Sequence, residues 1–554
     1  MNIKSAVMAM LMLPAAATAL ACTGLIATPG ATADGSSLVT YAADSHTLYG
    51  ELYHKAGGTH AKGTMREVTE WDTGKHLGAI PEAPVTYTRL GNMNEHGLAV
   101  TESTWGGRHE LAGSGLIDYG SLIFLALERA KTAPEAIKVM TSLVKEYGYA
   151  SEGESFTIAD PNEVWIMEMI GKGKDDKGAV WVARRVPDGY IAGHANHSRI
   201  HKFPLKDKTG ETLYSPDVIK FARQKGYFDG KDEDFSFSRA YAEYDMGALR
   251  GCDGRVWSFY NRYAPGMDKY LPWITKGEGE PLPLWVKPSK KLTANDMKWM
   301  MRDHFEGTPL DMTQDVGAGP YKVPYRWRPL TYKVDGKEYT HERAIATQQT
   351  GFSLVAQLNA KAADPMRGIL WFGVDDANTS VYIPMYCCLT EAPYEYREGN
   401  GDMYNLSWDA AFWVSNFVAN QAYNRYSQMI PDIRKVQTAI EDSIESEVAV
   451  LYREVPSLDP DAARKLLRGH SADWSRKATK AYRALGERLL VKYLDGNVKK
   501  ENPDGSFARS ADGMPLYPDF PGYDDNYYRS IVNDPAGGER LRVVPVPQTD
   551  TPVK

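Results

Sequence analysis

The feature that most constrains this chain is a cysteine placed directly after an export-signal pattern. Residues 1–21 combine a short basic start, an apolar run and a small-residue ending, and residues 19–21, Ala-Leu-Ala, fit the A-x-A pattern of signal peptidase cleavage. The apolar run over 6–20 is shorter than the roughly 20 residues that span a bilayer. We therefore expect an exported protein, periplasmic or extracellular, whose mature chain begins at Cys22.

A cysteine at a mature N-terminus has two uses that exclude each other. Its thiol carries lipid and tethers the chain to a membrane, or it acts as a nucleophile with its own α-amine as base. The α-amine titrates at about pH 8, which is close enough to working pH to accept the thiol proton. Lipoprotein signals usually carry Leu three residues before the cysteine, where this chain has Ala19. This departure favours the nucleophile, and acylation of Cys22 stays open as the alternative.

The composition is that of an ordinary globular protein. Hydrophobic residues make up 43% of the 554 residues and charged residues 24%. The formal net charge of -7 argues against a nucleic-acid partner, because such a surface needs a basic stripe. No second segment is apolar enough to cross a membrane. The length exceeds what one core usually holds, so we expect a large catalytic domain with elaborations, or two domains.

Three further cysteines are present, Cys252 and the adjacent pair Cys387 and Cys388. Four cysteines are few for a disulfide-stapled scaffold, and three form an odd set once Cys22 is set aside. We expect these three thiols to be buried and to pack as small hydrophobic groups. A disulfide from Cys252 to one of the adjacent pair stays open.

Hydrophobic patterning predicts an α+β layered protein. The stretch 22–44 predicts a hairpin that begins at Cys22, with turn residues Asp34 and Gly35. Helical spacing predicts two helices within 121–148, with a boundary at 132–134, and a helical region from about Ser407 to Leu494. Further hairpins are predicted over 85–104, over 155–170 and over 179–196, the last turning at 187–189.

Five stretches of the chain resemble one known family. They lie between residue 22 and about residue 390, and they are ACTGLIATPGATADGSSLVTYAADSH, NEHGLAVTESTW, GYIAGHANHSRI, MRDHFEGTPLDMTQDVGAGPY and GILWFGVDDANTSVYIPMYC. They resemble the PepD-like cysteine dipeptidases, which are N-terminal nucleophile hydrolases. The resemblance implies an αββα sandwich, maturation to a free N-terminal cysteine, and hydrolysis of dipeptides without a metal. We expect a signal peptide over 1–21, a catalytic domain over 22–400, a helical region over 401–497 and an extended tail over 498–554.

The resemblance implies catalytic roles for three residues. Cys22 matches the nucleophile, and Asp44 matches the acidic residue at the end of the second strand, near the terminal cysteine. Asn196 resembles the asparagine that lines the oxyanion hole or holds the amine. Many relatives carry Arg three residues before the acidic residue, where this chain has Tyr41, so the thiol receives no positive charge from that position. Without the resemblance, Asp44 would be interpreted as a turn-capping carboxylate and Asn196 as a loop residue.

Substrate-binding roles are implied for three more residues. Thr104 falls where related acylases have an oxyanion Asn or Tyr, Glu102 lies beside it, and Arg239 matches an arginine of those acylases. A dipeptide carries an ammonium and a carboxylate. Asp44 or Glu102 suits the first, and Arg239 or a residue near Arg302 suits the second.

The pattern H-x2-H-x3-H, formed by His194, His197 and His201, invites comparison with a zinc site. On an extended segment the first two side chains point to opposite faces. No HExxH helix or cysteine ligand pair supports a metal. We therefore predict no metal and no cofactor.

Three functions stay open at this point. The first is an exported dipeptidase that acts on dipeptides through Cys22, and the second is an amidase of the same superfamily that acts on N-acyl substrates. The third is a surface lipoprotein, acylated on Cys22, that serves binding. The aromatic helical face within 407–494 is predicted to pack on the catalytic domain and is a candidate interface of a homo-oligomer.

Overall fold

The computed structural model describes residues 22–546, so the predicted signal peptide lies outside the described residues. The described chain divides into two compact units. The first consists of 22–45, 56–292 and 358–360, and the second consists of 46–55, 293–357 and 361–546. None of the helices between residues 22 and 546 combines the length and the apolar composition that a membrane span requires.

The first unit begins with the predicted hairpin, which is confirmed. Strands β1 (Gly24–Ala27) and β2 (Ser37–Asp44) are antiparallel, with Ile26 opposite Val39. A bridge between Thr23 and Ala42 extends the pairing to the residue after Cys22. Every residue of both strands is buried, so Cys22 is held at the start of a firmly packed strand.

An antiparallel meander forms the second sheet of this unit. Its long strands are β3 (Ala99–Gly106), β4 (Gly153–Ala159), β5 (Val164–Gly171) and β6 (Ala179–Arg185), each paired with the next. The predicted hairpin over 155–170 is therefore confirmed. The one over 85–104 forms only around its turn, where Met93 lies opposite Ala99, because Val85–Thr86 pairs instead with Gly58–Thr59. Short strands continue the sheet at Thr212–Tyr214 beside β6, and at Met93–Asn94 and Arg89–Leu90 beyond β3.

The predicted hairpin over 179–196 is wrong, because its two strands belong to different sheets. β6 pairs within the meander, whereas β7 (Ile191–His194) pairs with β1, with Leu25 opposite Gly193. Trp285–Val286 pairs with the other edge of β7. The turn at 187–189 reverses the chain as its residues predict, but it carries the chain from one sheet to the other.

Helices pack on the meander. α1 (Tyr119–Arg129) and α2 (Ala133–Tyr147) are each capped by a side chain, and the predicted boundary at 132–134 is confirmed because Thr132 caps α2. Apolar side chains of both helices share one core cluster with Phe156, Ile158 and Met167 of the meander. A third helix, α3 (Gly254–Tyr263), packs against β7. The remaining elements of this unit include Gly58–Thr59, Met65–Thr69, His76–Pro81, Val85–Thr86, Val218–Gln224, Phe237–Tyr241 and Leu271–Lys276.

The second unit combines neighbouring strands with long helices. Its strands are β8 (Thr350–Leu358), β9 (Gly368–Val374) and β10 (Ile383–Tyr386), together with a hairpin of Thr331–Val334 and Lys337–Thr340. The predicted helical region is confirmed as α4 (Ala411–Asn424), α5 (Tyr426–Glu454) and α6 (Pro460–Lys492). α4 approaches α6 closely at Gly486, where a Cβ would lie 2.4 Å from the ring of Phe417. Shorter helices are Ala294–Met300 and Asp525–Asn533.

The chain is therefore a mixed α+β protein with antiparallel sheets and long C-terminal helices. None of the cysteines within 22–546 forms a disulfide, so the alternative of a Cys252 bridge is wrong. Cys387 and Cys388 are buried thiols as predicted, whereas Cys252 is half-buried.

Candidate active site

The thiol of Cys22 is buried among acidic and phenolic groups. Only 3% of Cys22 is exposed, and its Sγ donates to the hydroxyl of Tyr41 at 3.7 Å. Burial raises the pKa of the Cys22 thiol well above its ordinary value, and the charges of Glu102 and Asp44 raise this pKa further. A backbone hydrogen bond from Asp44 and the contact with Tyr41 act in the opposite direction. The thiol is therefore protonated near neutral pH, and it needs a base before it can attack.

Two buried carboxyl groups, those of Glu102 and Glu154, belong to the same network of contacts as the thiol. The Tyr41 hydroxyl donates to Glu102 Oε1, and the Thr104 hydroxyl donates to Glu154 Oε1 at 2.8 Å. Glu102 is 1% exposed and Glu154 is fully buried. Glu102 and Glu154 also share a side-chain hydrogen bond, and neither forms an ion pair with a cationic side chain among residues 22–546. Carboxyl groups are costly to bury without a cation, so such a pair beside the Cys22 thiol marks a candidate functional site.

These two carboxyl groups influence each other. Burial raises the pKa of Glu102 to about 7. Burial raises the pKa of Glu154 well above its ordinary value, and the neighbouring charge of Glu102 adds to this increase. At neutral pH the pair therefore holds at least one proton, which is the usual behaviour of two close carboxyl groups.

Arg255 holds the main chain of Cys22 in place. Its guanidinium is fully buried and donates to the Cys22 carbonyl oxygen at 2.8 Å and to the Thr23 hydroxyl at 2.7 Å. It also donates to Asn196 Oδ1 at 2.8 Å. Because Arg255 lies on α3, which packs against β7, this helix places one cation beside both Cys22 and Asn196.

Asn196 follows β7 and connects it with the meander. Its Nδ2 donates to the Thr104 carbonyl at 2.5 Å, and its backbone N–H donates to the Ser103 hydroxyl at 3.3 Å. Its φ of 52° lies in the left-handed region, which asparagine tolerates better than most residues. The side chain is therefore held by contacts on both sides, with Thr104 and with Arg255.

Five of the six residues predicted for the site lie in one network around the thiol. Their contacts join Cys22, Asp44, Glu102, Thr104 and Asn196 through Tyr41, Glu154 and Arg255.

The sixth residue, Arg239, lies elsewhere. Its side chain is exposed, and its guanidinium lies 4.0 Å from the ring centre of Tyr244. None of its contacts with described residues reaches Cys22. The alternative, a substrate cation near Arg302, stays a prediction. Arg302 is buried and donates to both oxygens of Glu441, at 3.0 and 2.6 Å.

Sequence reasoning missed Arg255, Tyr41 as a contact of the thiol, and Glu154. The available signal for Arg255 was an arginine followed directly by the apolar stretch VWSFY at the start of a helix. A charge on a buried helix face needs partners. The sequence alone does not say that those partners are Cys22 and Asn196.

The three histidines of the H-x2-H-x3-H pattern have separate partners. His194 lies between the hydroxyls of Ser103 and Thr157, at 2.6 and 2.7 Å, and burial lowers its pKa to about 3. His197 pairs with Asp253 at 2.9 Å. Within 22–546, no three His, Cys, Asp or Glu side chains group as metal ligands. The neutral ring of His194 also fills the space beside β1, where a Cβ on Gly24 would lie 2.8 Å from it.

Comparisons with known proteins identify the family of this chain. The family described as Peptidase family C69 matches residues 21–439, a range that holds Cys22 and every group described around it. The chain is 23% identical over 394 residues to a probable dipeptidase of Salmonella dublin, which covers 66% of this chain and 81% of the relative. It is 23% identical over 440 residues to a probable dipeptidase of Latilactobacillus sakei, with 75% and 84% covered.

A third relative is a dipeptidase of Bifidobacterium longum (strain NCC 2705), 22% identical over 414 residues, with 71% of this chain and 68% of the relative covered. The resemblance to the PepD-like cysteine dipeptidases is thereby confirmed. The family match spans more than half of the chain and contains the buried thiol with its acidic neighbours. This chain therefore belongs to peptidase family C69, and it is a cysteine-type peptide hydrolase.

Proposed function

We propose that this protein is an exported dipeptidase whose nucleophile is the thiol of Cys22, made N-terminal by cleavage after Ala21. The observation that carries the proposal is the set of contacts that fixes the buried thiol of Cys22 at the start of β1, where Arg255 holds its carbonyl oxygen and Tyr41 joins the thiol to Glu102. Such a thiol needs a base within reach, and cleavage would create one, the α-amine of Cys22 itself. The names of the relatives, dipeptidase and probable dipeptidase, support the substrate class.

The finer architecture is also a proposal. The two antiparallel sheets of the first unit, with α1 and α2 on the meander and α3 on β7, are consistent with the αββα sandwich of N-terminal nucleophile hydrolases. We assign catalysis to 22–400, a helical elaboration to 401–497 and a C-terminal tail, which carries the helix Asp525–Asn533, to 498–554.

In the proposed first step, the α-amine of Cys22 accepts the thiol proton. The thiolate attacks the carbonyl carbon of the dipeptide, and the carbonyl electron pair moves to oxygen. Asn196 Nδ2, which is held beside Cys22 by Thr104 and Arg255, donates to this oxyanion together with a backbone N–H. When the oxyanion collapses, the C–N bond breaks and the ammonium of Cys22 returns its proton to the leaving amine.

The second step releases the acyl-thioester. The same α-amine accepts a proton from water, and the resulting hydroxide attacks the thioester carbonyl. The C–S bond breaks, and the ammonium of Cys22 returns its proton to the sulfur. The first amino acid leaves as a carboxylic acid, which gives its proton to the solvent. In both steps Arg255 is a positioning residue, because it holds the Cys22 carbonyl and Asn196 Oδ1 rather than the reacting atoms.

The acidic surroundings of the thiol favour a dipeptide over an N-acyl amide. A free dipeptide brings an α-ammonium next to its scissile carbonyl, and Glu102 and Glu154 lie buried near Cys22 with no ion-pair partner among residues 22–546. An N-acyl substrate has no positive charge there to offset these carboxyl groups. Lipid acylation, the remaining alternative, would consume the proposed nucleophile.

The deciding experiment starts from the protein exported by a bacterial host. Intact mass and N-terminal sequencing should give an unmodified chain that starts at Cys22. This chain should cleave free dipeptides and should fail on their N-acetyl derivatives. In Cys22→Ala we expect hydrolysis to fall by at least about 10³-fold, because the nucleophile is gone.

The matched control is Cys387→Ala, which removes a buried thiol of the second unit and should leave hydrolysis near that of the parent chain. A lipid on Cys22, or undiminished hydrolysis in Cys22→Ala, would sink the proposal. Cleavage of N-acetyl dipeptides in preference to free ones would favour the amidase.

A further inference from the structure

A polar pocket in the second unit is lined by three arginines. Its lining residues run from Met312 to Gln349, and its volume is about 300 Å³ including the open mouth. The cationic residues are Arg326, Arg328 and Arg343, and among the lining residues only Glu342 carries a carboxylate. None of these residues belongs to the Cys22 site, so the pocket has a function still to be assigned.

Arg326 is buried with part of its guanidinium unused. Its side chain is 4% exposed, and its Nη2 donates to the Met312 carbonyl at 2.8 Å and to Asp315 at 2.7 Å. Its Nε and Nη1 have no hydrogen-bond partner among the residues that the structure describes. A buried cation that keeps unsatisfied donors is expensive, so such donors in a pocket point to a missing acceptor.

The positive charge of this pocket exceeds its negative charge. The only ion-pair partner of Arg326 in residues 22–546 is Asp315, whose side chain is 62% exposed and therefore screened by solvent. Arg343 is buried against the same pocket, and Arg328 Nε donates to Gln349 Oε1 at 2.7 Å. The lining thus holds three guanidinium groups and a single carboxylate, that of Glu342.

We propose that this pocket binds a small oxyanion, a carboxylate or a phosphate, through Arg326 and Arg343. Guanidinium groups suit such anions because they are always charged and present several N–H donors in a fixed plane. The side chains of Thr347 and Gln348 add further polar groups to the same lining. Two sources carry this chemistry, the C-terminal carboxylate of a peptide and inorganic phosphate in solution.

The test is a binding titration on the full chain carrying Cys22→Ala, so that peptides are not consumed. Inorganic phosphate, a free dipeptide and the C-terminal amide of the same dipeptide are titrated in turn by calorimetry. In Arg326→Gln and in Arg343→Gln we expect the binding of the recognised anion to weaken by at least about tenfold, as loss of a charged hydrogen bond predicts. The control Arg476→Gln, an exposed helix arginine paired with Asp473, should bind as the parent does.

The ligands distinguish the two sources. Binding of the dipeptide but not of its amide, with dependence on Arg326, identifies a peptide carboxylate, and phosphate binding with the same dependence identifies a free anion. The proposal is overturned if the parent chain binds none of the three ligands, or if both arginine variants bind the anion with the same affinity as the parent. Because Arg326 also holds Met312, Arg326→Lys is included as a variant that keeps the charge, and thermal unfolding of each variant shows that the chain is folded. The result is independent of hydrolysis at Cys22.

Discussion

Glu102 in the first unit and Glu441 in the second are both buried carboxyl groups, yet their electrostatics are opposite. Burial would raise the pKa of Glu441, but the charge and hydrogen bonds of Arg302 outweigh burial, so this pKa is lowered. For Glu102 burial prevails and raises the pKa to about 7, since its main partner is the Tyr41 hydroxyl. Where a buried charge joins helices and strands, as Glu441 does, a buried cation neutralises it. Beside Cys22, Glu102 has no ion-pair partner among residues 22–546, and a cationic substrate can supply the missing positive charge.

The largest effect is expected from breaking the matched pair. Arg302→Met should lower the free energy of unfolding by about 3 to 5 kcal/mol, because it leaves Glu441 buried without its cation. Denaturant unfolding at pH 7 measures this. The matched control is Arg367→Met, whose partner Asp364 is 79% exposed, and its loss should stay within about 1 kcal/mol. Equal losses in the two variants would mean that burial does not distinguish these pairs.

Next in size is a loss of rate without a comparable loss of stability. Asn196→Ala should lower kcat/KM for a dipeptide by about 10² to 10³, the usual effect of removing one oxyanion donor. The free energy of unfolding should change less than in Arg302→Met, which marks the first-unit network as catalytic rather than structural. Asn420→Ala, on an exposed face of α4, is the control and should leave both quantities unchanged. A rate loss below tenfold would remove Asn196 from the oxyanion site.

A smaller change in the free energy of unfolding is expected for Glu102→Gln. This substitution should raise the free energy of unfolding at pH 8, whereas Arg302→Met should lower it. The pKa of Glu102 is raised from 4.5 to about 7 on folding, so its contribution to stability is present below pH 4.5 and is lost as pH rises through 7. The loss reaches at most about 3 kcal/mol, and Gln should abolish it. Unfolding of both chains at pH 5 and pH 8 checks this. The control is Glu233→Gln, at a side chain that is 77% exposed, and its stability should depend on pH as that of the parent chain does. If Glu102→Gln also showed the pH dependence of the parent, the raised pKa of Glu102 would be contradicted.

The smallest change concerns the hydrogen bond between Tyr41 and Glu102. This bond lowers the pKa of Glu102, so Tyr41→Phe should move the pH at which stability is lost upward. A hydrogen bond to a charged group predicts a shift of about one to two pH units. Tyr227→Phe is the control, because its hydroxyl donates at 2.7 Å to the exposed Glu110. A midpoint that does not move in Tyr41→Phe would show that the Tyr41 bond does not stabilise the ionised carboxylate.

Local pattern predicted much of the fold. Alternation and turn residues predicted the hairpin at Cys22 and the hairpins of the meander, and helical spacing with a Thr-Ala-Pro boundary predicted α1 and α2. The prediction failed at 179–196, where two strands flank a good turn but enter different sheets. Turn chemistry acts over a few residues, whereas the choice of partner strand depends on which apolar faces pack together.

The candidate site divides in the same way. Cys22 was recognised from the residues before it, and Asp44, Glu102, Thr104 and Asn196 from short motifs that the resemblance made meaningful. Arg255 lies 233 positions from Cys22, and the choice of Arg239 instead rested on a short match. The sequence also could not show that Glu102 and Glu154 lack a cationic partner, because it shows which charged residues exist but not which of them form ion pairs.

By itself the sequence determined the local elements and singled out Cys22 as the candidate nucleophile, because periodicity, turn residues and an export-signal pattern all act over neighbouring positions. Only the tertiary structure decided the partners. It placed Arg255 against the Cys22 carbonyl, matched Arg302 with Glu441, and left the carboxyl pair beside the thiol without a cation. The physical reason is that the energy of a buried charge depends on the atoms within a few ångströms of it, and packing alone brings distant parts of the chain that close.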